Sequence, residues 1–133
     1  MQFLTVGTAA PAAPVFATLK AGSGPDVVAL KVSEDAYKGD AQFTVSVDGK
    51  QVGGAFTTKA LHAAGQSQEV DLSGSWGKGA HTVTVNFLND LYGGTASADR
   101  NLYVTGASYD GVAQTGATLS LLSGGPQSFG IAS

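Results

Sequence analysis

Cysteine is absent from the 133-residue sequence, and charged residues are scarce. Without cysteine the chain has no disulfide, no thiolate zinc ligand and no cysteine nucleophile. Charged residues make up 13% of the sequence, about half of their usual share. Seven Lys and Arg residues and ten Asp and Glu residues give a net charge of -3. A negative net charge does not favour binding to the phosphate backbone of a nucleic acid. We therefore expect a weakly charged globular protein that does not bind nucleic acid.

Long hydrophobic runs are also missing. The first uncharged stretch covers residues 1–19, but Gly7, Pro11 and Pro14 interrupt it together with several polar side chains. This stretch is too polar for a membrane span, and it lacks the basic region that opens a signal peptide. The sequence therefore predicts no membrane span and no recognisable signal peptide.

The composition divides the chain into an arm and one domain. Residues 1–25 are apolar, punctuated by proline and nearly uncharged, unlike the rest of the sequence. Such a segment can add a strand to its own sheet or to that of a neighbouring chain, which would make a homo-oligomer. Residues 26–133 are long enough for a single domain with its own core.

Alternating residues and frequent glycines predict an all-β fold. In Ala41–Asp48 apolar residues alternate with polar ones, which is typical of a half-buried strand. Asp48-Gly49 predicts a hairpin, with residues 51–58 as the returning strand and Gly53-Gly54 as a bulge or a close backbone approach. His81–Leu88 alternates in the same way. Further strands are predicted at 27–32, 68–72, 101–105, 118–122 and 127–131, with Gly124-Gly125-Pro126 as the hairpin connection between the last two.

No window shows a sustained helical period, so we predict two antiparallel sheets packed as a β-sandwich of jelly-roll type. Trp76 lies in a glycine-rich turn and is expected to cover the edge of the core rather than bind a ligand. His62 and His81 stand in no recognisable catalytic context and are interpreted as structural.

Oxygen-bearing side chains concentrate in two segments that each follow a predicted strand. The first is 33–40 and the second is 89–101. Calcium takes six to eight oxygen ligands from carboxylates, amides, backbone carbonyls and water. The alternative is that both segments are solvated turns, where the same residue types are common. The candidate metal ligands are Glu34, Asp35, Asp40, Asn89, Asp90, Asp99 and Asn101.

Each acidic segment also contains a tyrosine, Tyr37 in the first and Tyr92 in the second. An exposed ring beside a metal ion can stack on a pyranose ring, whereas a buried ring would anchor its loop to the sandwich. Both interpretations remain open from the sequence.

The paired segments SEDAYKGDAQFTVSVDGKQVGG and FLNDLYGGTASADRNLYV closely resemble the calcium-dependent carbohydrate-binding modules of family 60, the xylan-binding type. The resemblance covers residues 26 to 111. It implies a small β-sandwich in which a calcium ion binds vicinal hydroxyls of the sugar directly. Modules of this type are usually appendages of plant-cell-wall hydrolases, so the resemblance also implies an extracellular, exported bacterial protein.

The resemblance assigns roles to particular residues. The Asn-Asp pair of the family corresponds to Asn89 and Asp90, and the pair that closes its second loop corresponds to Arg100 and Asn101. The second carboxylate of the family pattern is therefore replaced by Asn101. Either Asp99 supplies the missing charge or the metal site is weaker. The expected carbohydrate-binding residues are Tyr37, Asp40, Tyr92, Asp99 and Arg100.

Three functions compete at this point. The first is non-catalytic, calcium-dependent binding of a β-linked, xylan-like polysaccharide. The second is a calcium-stabilised structural domain that self-assembles into an exported matrix, layer or filament. The third is a glycosidase, which needs two carboxyl groups across a cleft; because 133 residues leave little chain for such a cleft, we expect no enzyme activity.

Overall fold

A computed structural model describes residues 16–133 of the chain. Within this range one 3₁₀ helix, His62–Ala64, and twelve strands are present. The strands are β1 (Leu19–Gly22), β2 (Asp26–Asp35), β3 (Gln42–Val47), β4 (Lys50–Gln51), β5 (Phe56–Thr57), β6 (Gln68–Gly74), β7 (Ala80–Phe87), β8 (Leu91–Tyr92), β9 (Asp99–Tyr109), β10 (Val112–Ala113), β11 (Leu119–Leu121) and β12 (Gly125–Ala132).

The strands form two sheets. The first has the order β10-β9-β2-β6-β1, and both β8 and β11 also pair with β9. The second has the order β12-β7-β3-β4, and β5 pairs with β3. The two sheets pack on each other through one core cluster to which Leu30, Leu72 and Leu102 contribute from the first sheet and Phe43 and Val85 from the second. The predicted all-β sandwich is therefore confirmed.

The hairpin predicted at Asp48-Gly49 is present. Asp48 and Gly49 have φ values of 51° and 83°, and Val47 pairs with Lys50 across the turn. The returning chain is divided into β4 and β5 around Gly53, where a Cβ atom would lie 2.5 Å from the Cβ of Ala21. The close approach predicted for Gly53-Gly54 is thus found at Gly53 and not at Gly54, where no atom lies within 4 Å of the Cβ position, and at Gly53 it lets β1 lie against the hairpin.

One expectation about strand pairing is wrong. Gly124-Gly125-Pro126 does not close a hairpin, because β11 pairs with β9 in the first sheet and β12 pairs with β7 in the second. The connection instead carries the chain from one sheet to the other. Within the predicted domain, residues 26–133, the paired strands are antiparallel, and β1, which lies in the predicted arm, is added parallel to β6.

Strand β1 lies inside the segment predicted as an arm or an added strand, and it pairs with β6 of the same chain. Residues 1–15 of that arm lie outside the described residues, so an oligomer formed through it stays a prediction. Trp76 packs against the core cluster, as predicted. In the described part of the chain, no helix has the length and apolar character needed to cross a membrane.

Candidate functional site

Arg100 joins the two acidic segments at one end of the sandwich. Its side chain is turned inward and the residue is 8% exposed. Nε and Nη2 donate to the carbonyl of Tyr37 at 3.0 and 2.7 Å, and Nη2 also donates to the carbonyl of Lys38 at 2.8 Å. Nη1 donates to the carbonyl of Asn89 at 2.6 Å. These hydrogen bonds to backbone carbonyls hold the loops together, so the geometry makes Arg100 a positioning residue rather than an exposed sugar contact.

Asn89 forms a second connection between the same loops. Its Nδ2 donates to the carbonyl of Asp40 at 2.9 Å, and its Oδ1 accepts from the backbone N–H of Gln42 at 2.8 Å. Both ends of the amide therefore bind the segment that leads into β3. Asn89 was predicted as a metal ligand, but its side chain is engaged in holding the loops.

Glu34 and Asp35 lie in β2 rather than in the loop that the sequence suggests. Because side chains alternate along a strand, the two carboxyl groups point to opposite faces of the first sheet. Glu34 is opposite the core residue Leu102, and Asp35 is opposite Asn101. The candidate ligands are thereby separated into an inner group and an outer group.

The inner group is a pair of carboxyl groups formed by Glu34 and Asp40. Glu34 is 1% exposed, and its Oε1 accepts from the backbone N–H of Ala41 at 2.6 Å. Burial raises the pKa of Glu34 to about 8, and the contact with Asp40 adds to the increase. Lys59 Nζ donates to Asp40 Oδ2 at 2.7 Å, which lowers the pKa of Asp40. At neutral pH one proton is therefore held on Glu34, and Lys59, which the sequence analysis did not identify, balances the charge of Asp40.

The outer group consists of Asp35, Asp99 and Asn101. Asn101 Nδ2 donates to Asp35 Oδ2 at 3.0 Å and to Asp99 Oδ2 at 3.2 Å. Asp99 and Asn101 are two residues apart on β9 and therefore share a face. One amide thus brings together two carboxylates from different strands, and Asp99 lies beside the position where the family's carboxylate is missing.

Tyr103 extends the outer group by one step along β9. Its hydroxyl donates to Asp35 Oδ2 at 2.5 Å. Burial and then this contact with Asp35 raise the pKa of Tyr103 to about 12, so the hydroxyl stays protonated at neutral pH. The sequence analysis missed Tyr103, although its place two residues after Asn101 in a strand is the pattern that puts side chains on one face.

Several buried oxygens of the predicted ligands have no hydrogen-bond partner. They are Oε2 of Glu34 and Oδ1 of Asp90, Asp99 and Asn101. A shared proton between Glu34 and Asp40 accounts for the first. Buried polar atoms normally have partners, so the oxygens of Asp99 and Asn101 call for one, and a hard cation such as calcium binds carboxylate and amide oxygens. The chemistry of the outer group therefore fits calcium.

The carboxylates alone do not make a metal cluster. Within residues 16–133 no group of three or more His, Asp or Glu side chains is arranged to hold a metal ion. The outer group has two carboxylates and needs the amide oxygen of Asn101 as its third side-chain donor. Asp90 lies beside Gly124, whose Cβ position is 3.6 Å from the Cβ of Asp90, and among the described residues no hydrogen bond joins Asp90 to the outer group.

The two tyrosines predicted to bind sugar have different environments. Tyr92 is 63% exposed and pairs with Asp99 across β8 and β9, which places its ring next to the outer group. Tyr37 is half-buried, and its hydroxyl approaches the backbone of Gly93 in the second loop. The structure therefore favours ligand contact for Tyr92 and loop packing for Tyr37.

Gly93→Ala is expected to destabilise the protein by about 1–3 kcal/mol, the usual effect of overpacking. A Cβ atom at this position would lie 2.5 Å from the Tyr37 hydroxyl and 2.9 Å from the Cβ of Ala98. Gly54→Ala is the matched control, because no atom lies within 4 Å of its Cβ position. Urea unfolding of both variants measures the difference. Equal stabilities would mean that Tyr37 is not held against the second loop.

A comparison with protein-family models matches residues 27–120 to the model described as a calcium-dependent, xylan-binding carbohydrate-binding module, CBM60. The match covers both acidic segments and most of the first sheet. No curated protein and no solved structure gives a significant match to the chain.

Proposed function

The chain belongs to carbohydrate-binding module family 60, and on that premise we propose that it binds a β-linked, xylan-like polysaccharide through a calcium ion held by Asp35, Asp99 and Asn101. The family supports a carbohydrate-binding, non-catalytic role. The observation that carries the position of the ion is the outer group itself, in which buried oxygens of Asp99 and Asn101 lack partners.

In this proposal Asp99 supplies the negative charge that is missing at Asn101. Asp99 Oδ2 and Asp35 Oδ2 accept from the same amide N–H₂ group, which leaves the amide oxygen of Asn101 free to face a cation. Asn101 then has two tasks, since its nitrogen orients the carboxylates and its oxygen serves as a ligand. The Tyr103 hydroxyl donates to the same Asp35 oxygen that accepts from Asn101, which restrains Asp35 further.

When bound, the calcium ion supplies direct coordination of two adjacent sugar hydroxyls. The residues of the chain supply orientation and ring contact. Tyr92, exposed beside Asp99, offers a flat apolar surface to a pyranose ring. Arg100 and Asn89 hold the two loops in fixed positions relative to each other. Arg100 binds backbone carbonyls of both loops, and Asn89, in the second loop, binds the backbone carbonyl of Asp40 in the first. Asp40 is paired with Lys59, and its backbone carbonyl accepts from Asn89, so it helps to hold the first loop.

The arrangement of carboxyl groups supports a non-catalytic role. A glycosidase needs a general acid with a raised pKa that can reach the substrate. Glu34 has the raised pKa, but it is 1% exposed and points toward the core. Asp35 and Asp99 are half-buried on the outer face and are bridged by one amide group. Asp35 and Asp99 therefore lie on the opposite face of the sheet from Glu34, and Asp40, the carboxylate that contacts Glu34, is paired with Lys59.

Calorimetric titration with xylo-oligosaccharides tests the proposal. We expect binding in millimolar calcium with a dissociation constant in the micromolar to millimolar range, which corresponds to roughly 4 to 8 kcal/mol. Addition of a chelator should abolish the heat signal, and renewed calcium should restore it. Undiminished binding in excess chelator would contradict the role of the ion.

The same proposal places the protein outside the cell, where plant polysaccharide is found. An exported module of this kind would hold an attached hydrolase, or another attached domain, at the surface of its substrate.

A further inference from the structure

A groove of about 330 Å³ lies on the outer face of the first sheet, next to the outer group. Its walls come from β9, from β11 with the residue before it, and from the 3₁₀ helix. The lining residues that matter here are His62, Tyr103, Thr105, Thr118 and Ser120. Ligand pockets begin at about 300 Å³, so this groove has room for one small ring.

The aromatic wall of the groove is held rigidly. The rings of His62 and Tyr103 are stacked, with centroids 3.9 Å apart and planes inclined by 15°. His62 Nδ1 lies 3.1 Å from the hydroxyl of Ser33, which is buried in β2. The Tyr103 hydroxyl is fixed by Asp35. An exposed imidazole that is restrained by both a ring and a hydroxyl loses little entropy when a ligand packs against it.

The remaining wall is rich in hydroxyl groups. Ser120 pairs with Tyr103 across β9 and β11, and Thr118 and Thr105 complete the lining. Within this groove the lining side chains carry no carboxylate and no lysine or arginine. Hydroxyls and an aromatic wall without charge suit a neutral, hydroxyl-rich ring and do not suit an ion or a phosphate.

The groove is continuous with the outer group. Tyr103 lines the groove with its ring and donates its hydroxyl to Asp35. Asn101 and Tyr103 are two residues apart on β9, a separation of about 7 Å along the strand. This separation is comparable to the length of one pyranose unit, so a chain held by one ring at Asn101 would bring its next ring to Tyr103.

We propose that this groove is a second sugar subsite, which receives the pyranose ring adjacent to the one held at Asp35, Asp99 and Asn101. The inference rests on the proposed function and extends it. The protein would then bind two consecutive linked rings rather than only one pair of adjacent hydroxyls. It also gives His62, interpreted as structural from the sequence, a contact with the ligand.

The test compares methyl β-xyloside, which has one ring, with xylotriose, in NMR titrations of the full chain with calcium. For the wild-type protein we expect xylotriose to bind about tenfold more tightly than methyl β-xyloside. This total exceeds the roughly threefold gain that three equivalent rings would give by number alone. Thr118→Arg fills the groove from an exposed position, and His62→Ala removes part of the aromatic wall. In both variants the advantage of xylotriose should fall to about threefold, while the affinity for methyl β-xyloside stays unchanged. Thr82→Arg, at an exposed position in β7 of the other sheet, is the control.

The outcomes separate this inference from the proposed function. If the wild-type protein binds both ligands and Thr118→Arg keeps the full advantage of xylotriose, the second subsite is wrong and the calcium site stands. An equal loss of both ligands in His62→Ala would likewise overturn the subsite, because it would indicate a structural role for the ring. If the wild-type protein binds neither ligand in calcium, both proposals fail.

Discussion

Asp99→Asn is expected to weaken calcium-dependent binding of xylo-oligosaccharides by about a hundredfold, since calcium affinity depends strongly on the number of charged ligands. Asp99 is one of two carboxylates in the outer group and accepts from the amide of Asn101. Asn101 already replaces a carboxylate of the family pattern, so the site has little negative charge to lose. The substitution keeps the size of the side chain and removes only its charge. The fold should persist, because Asp99 contributes to the first sheet through its backbone rather than to the core.

The matched control for this experiment is Asp71→Asn. Asp71 is also a half-buried aspartate in a strand of the first sheet, and one of its oxygens is likewise buried without a partner. Calorimetric titration in calcium, with far-UV circular dichroism to monitor the fold, compares the two variants with the wild-type protein. If Asp99→Asn keeps full affinity and Asp90→Asn loses it, the ion belongs at Asp90 beside the turn at Gly124.

Arg100→Met is expected to lower the free energy of unfolding by about 3 kcal/mol and the melting temperature by roughly 10 °C. The guanidinium donates to the carbonyls of Tyr37, Lys38 and Asn89. Methionine is apolar and of similar length, so it fills part of the space but satisfies none of these carbonyls. Glycan binding should also weaken at temperatures where the variant is folded, because the two loops then keep only the connection through Asn89.

Lys59→Met is the control for the loss of a positive charge near the same loops. The Lys59 side chain is 73% exposed and pairs with Asp40 at 2.7 Å, and exposed ion pairs contribute little to stability. Urea unfolding should therefore give a stability near that of the wild-type protein for Lys59→Met and a much lower one for Arg100→Met. Similar stabilities for the two variants would refute the positioning role of Arg100.

Local sequence patterns predicted the strands well, because alternation and turn chemistry act over a few neighbouring residues. Gln42–Val47 and Ala80–Phe87 follow the alternation that predicted them within one residue. The wrong hairpin at Gly124-Gly125-Pro126 has a different cause. Glycine and proline indicate that the chain bends, but they do not indicate which strand the chain pairs with after the bend. That depends on which sheet has an unpaired edge strand, and β12 pairs with β7 in the second sheet.

The residue types of the candidate site were likewise predicted from the sequence, whereas their grouping was not. The seven candidate metal ligands stood in two segments, and nothing in their spacing separates Glu34 from Asp35. The separation depends on how far β2 and β9 extend, since each strand continues into its acidic segment and turns alternate side chains to opposite faces.

By itself the sequence determined the all-β class, the two acidic segments and the resemblance to the family, since each of these depends on residue type and local order. Only the tertiary structure decided that Arg100 and Asn89 hold the loops, that Asp35, Asp99 and Asn101 share one face, and that His62 stacks on Tyr103. These contacts join residues far apart in the chain, for example Asp35 and Asn101, which are 66 positions apart. Strand register brings such residues together, and register is a property of the packed sheets rather than of any local segment.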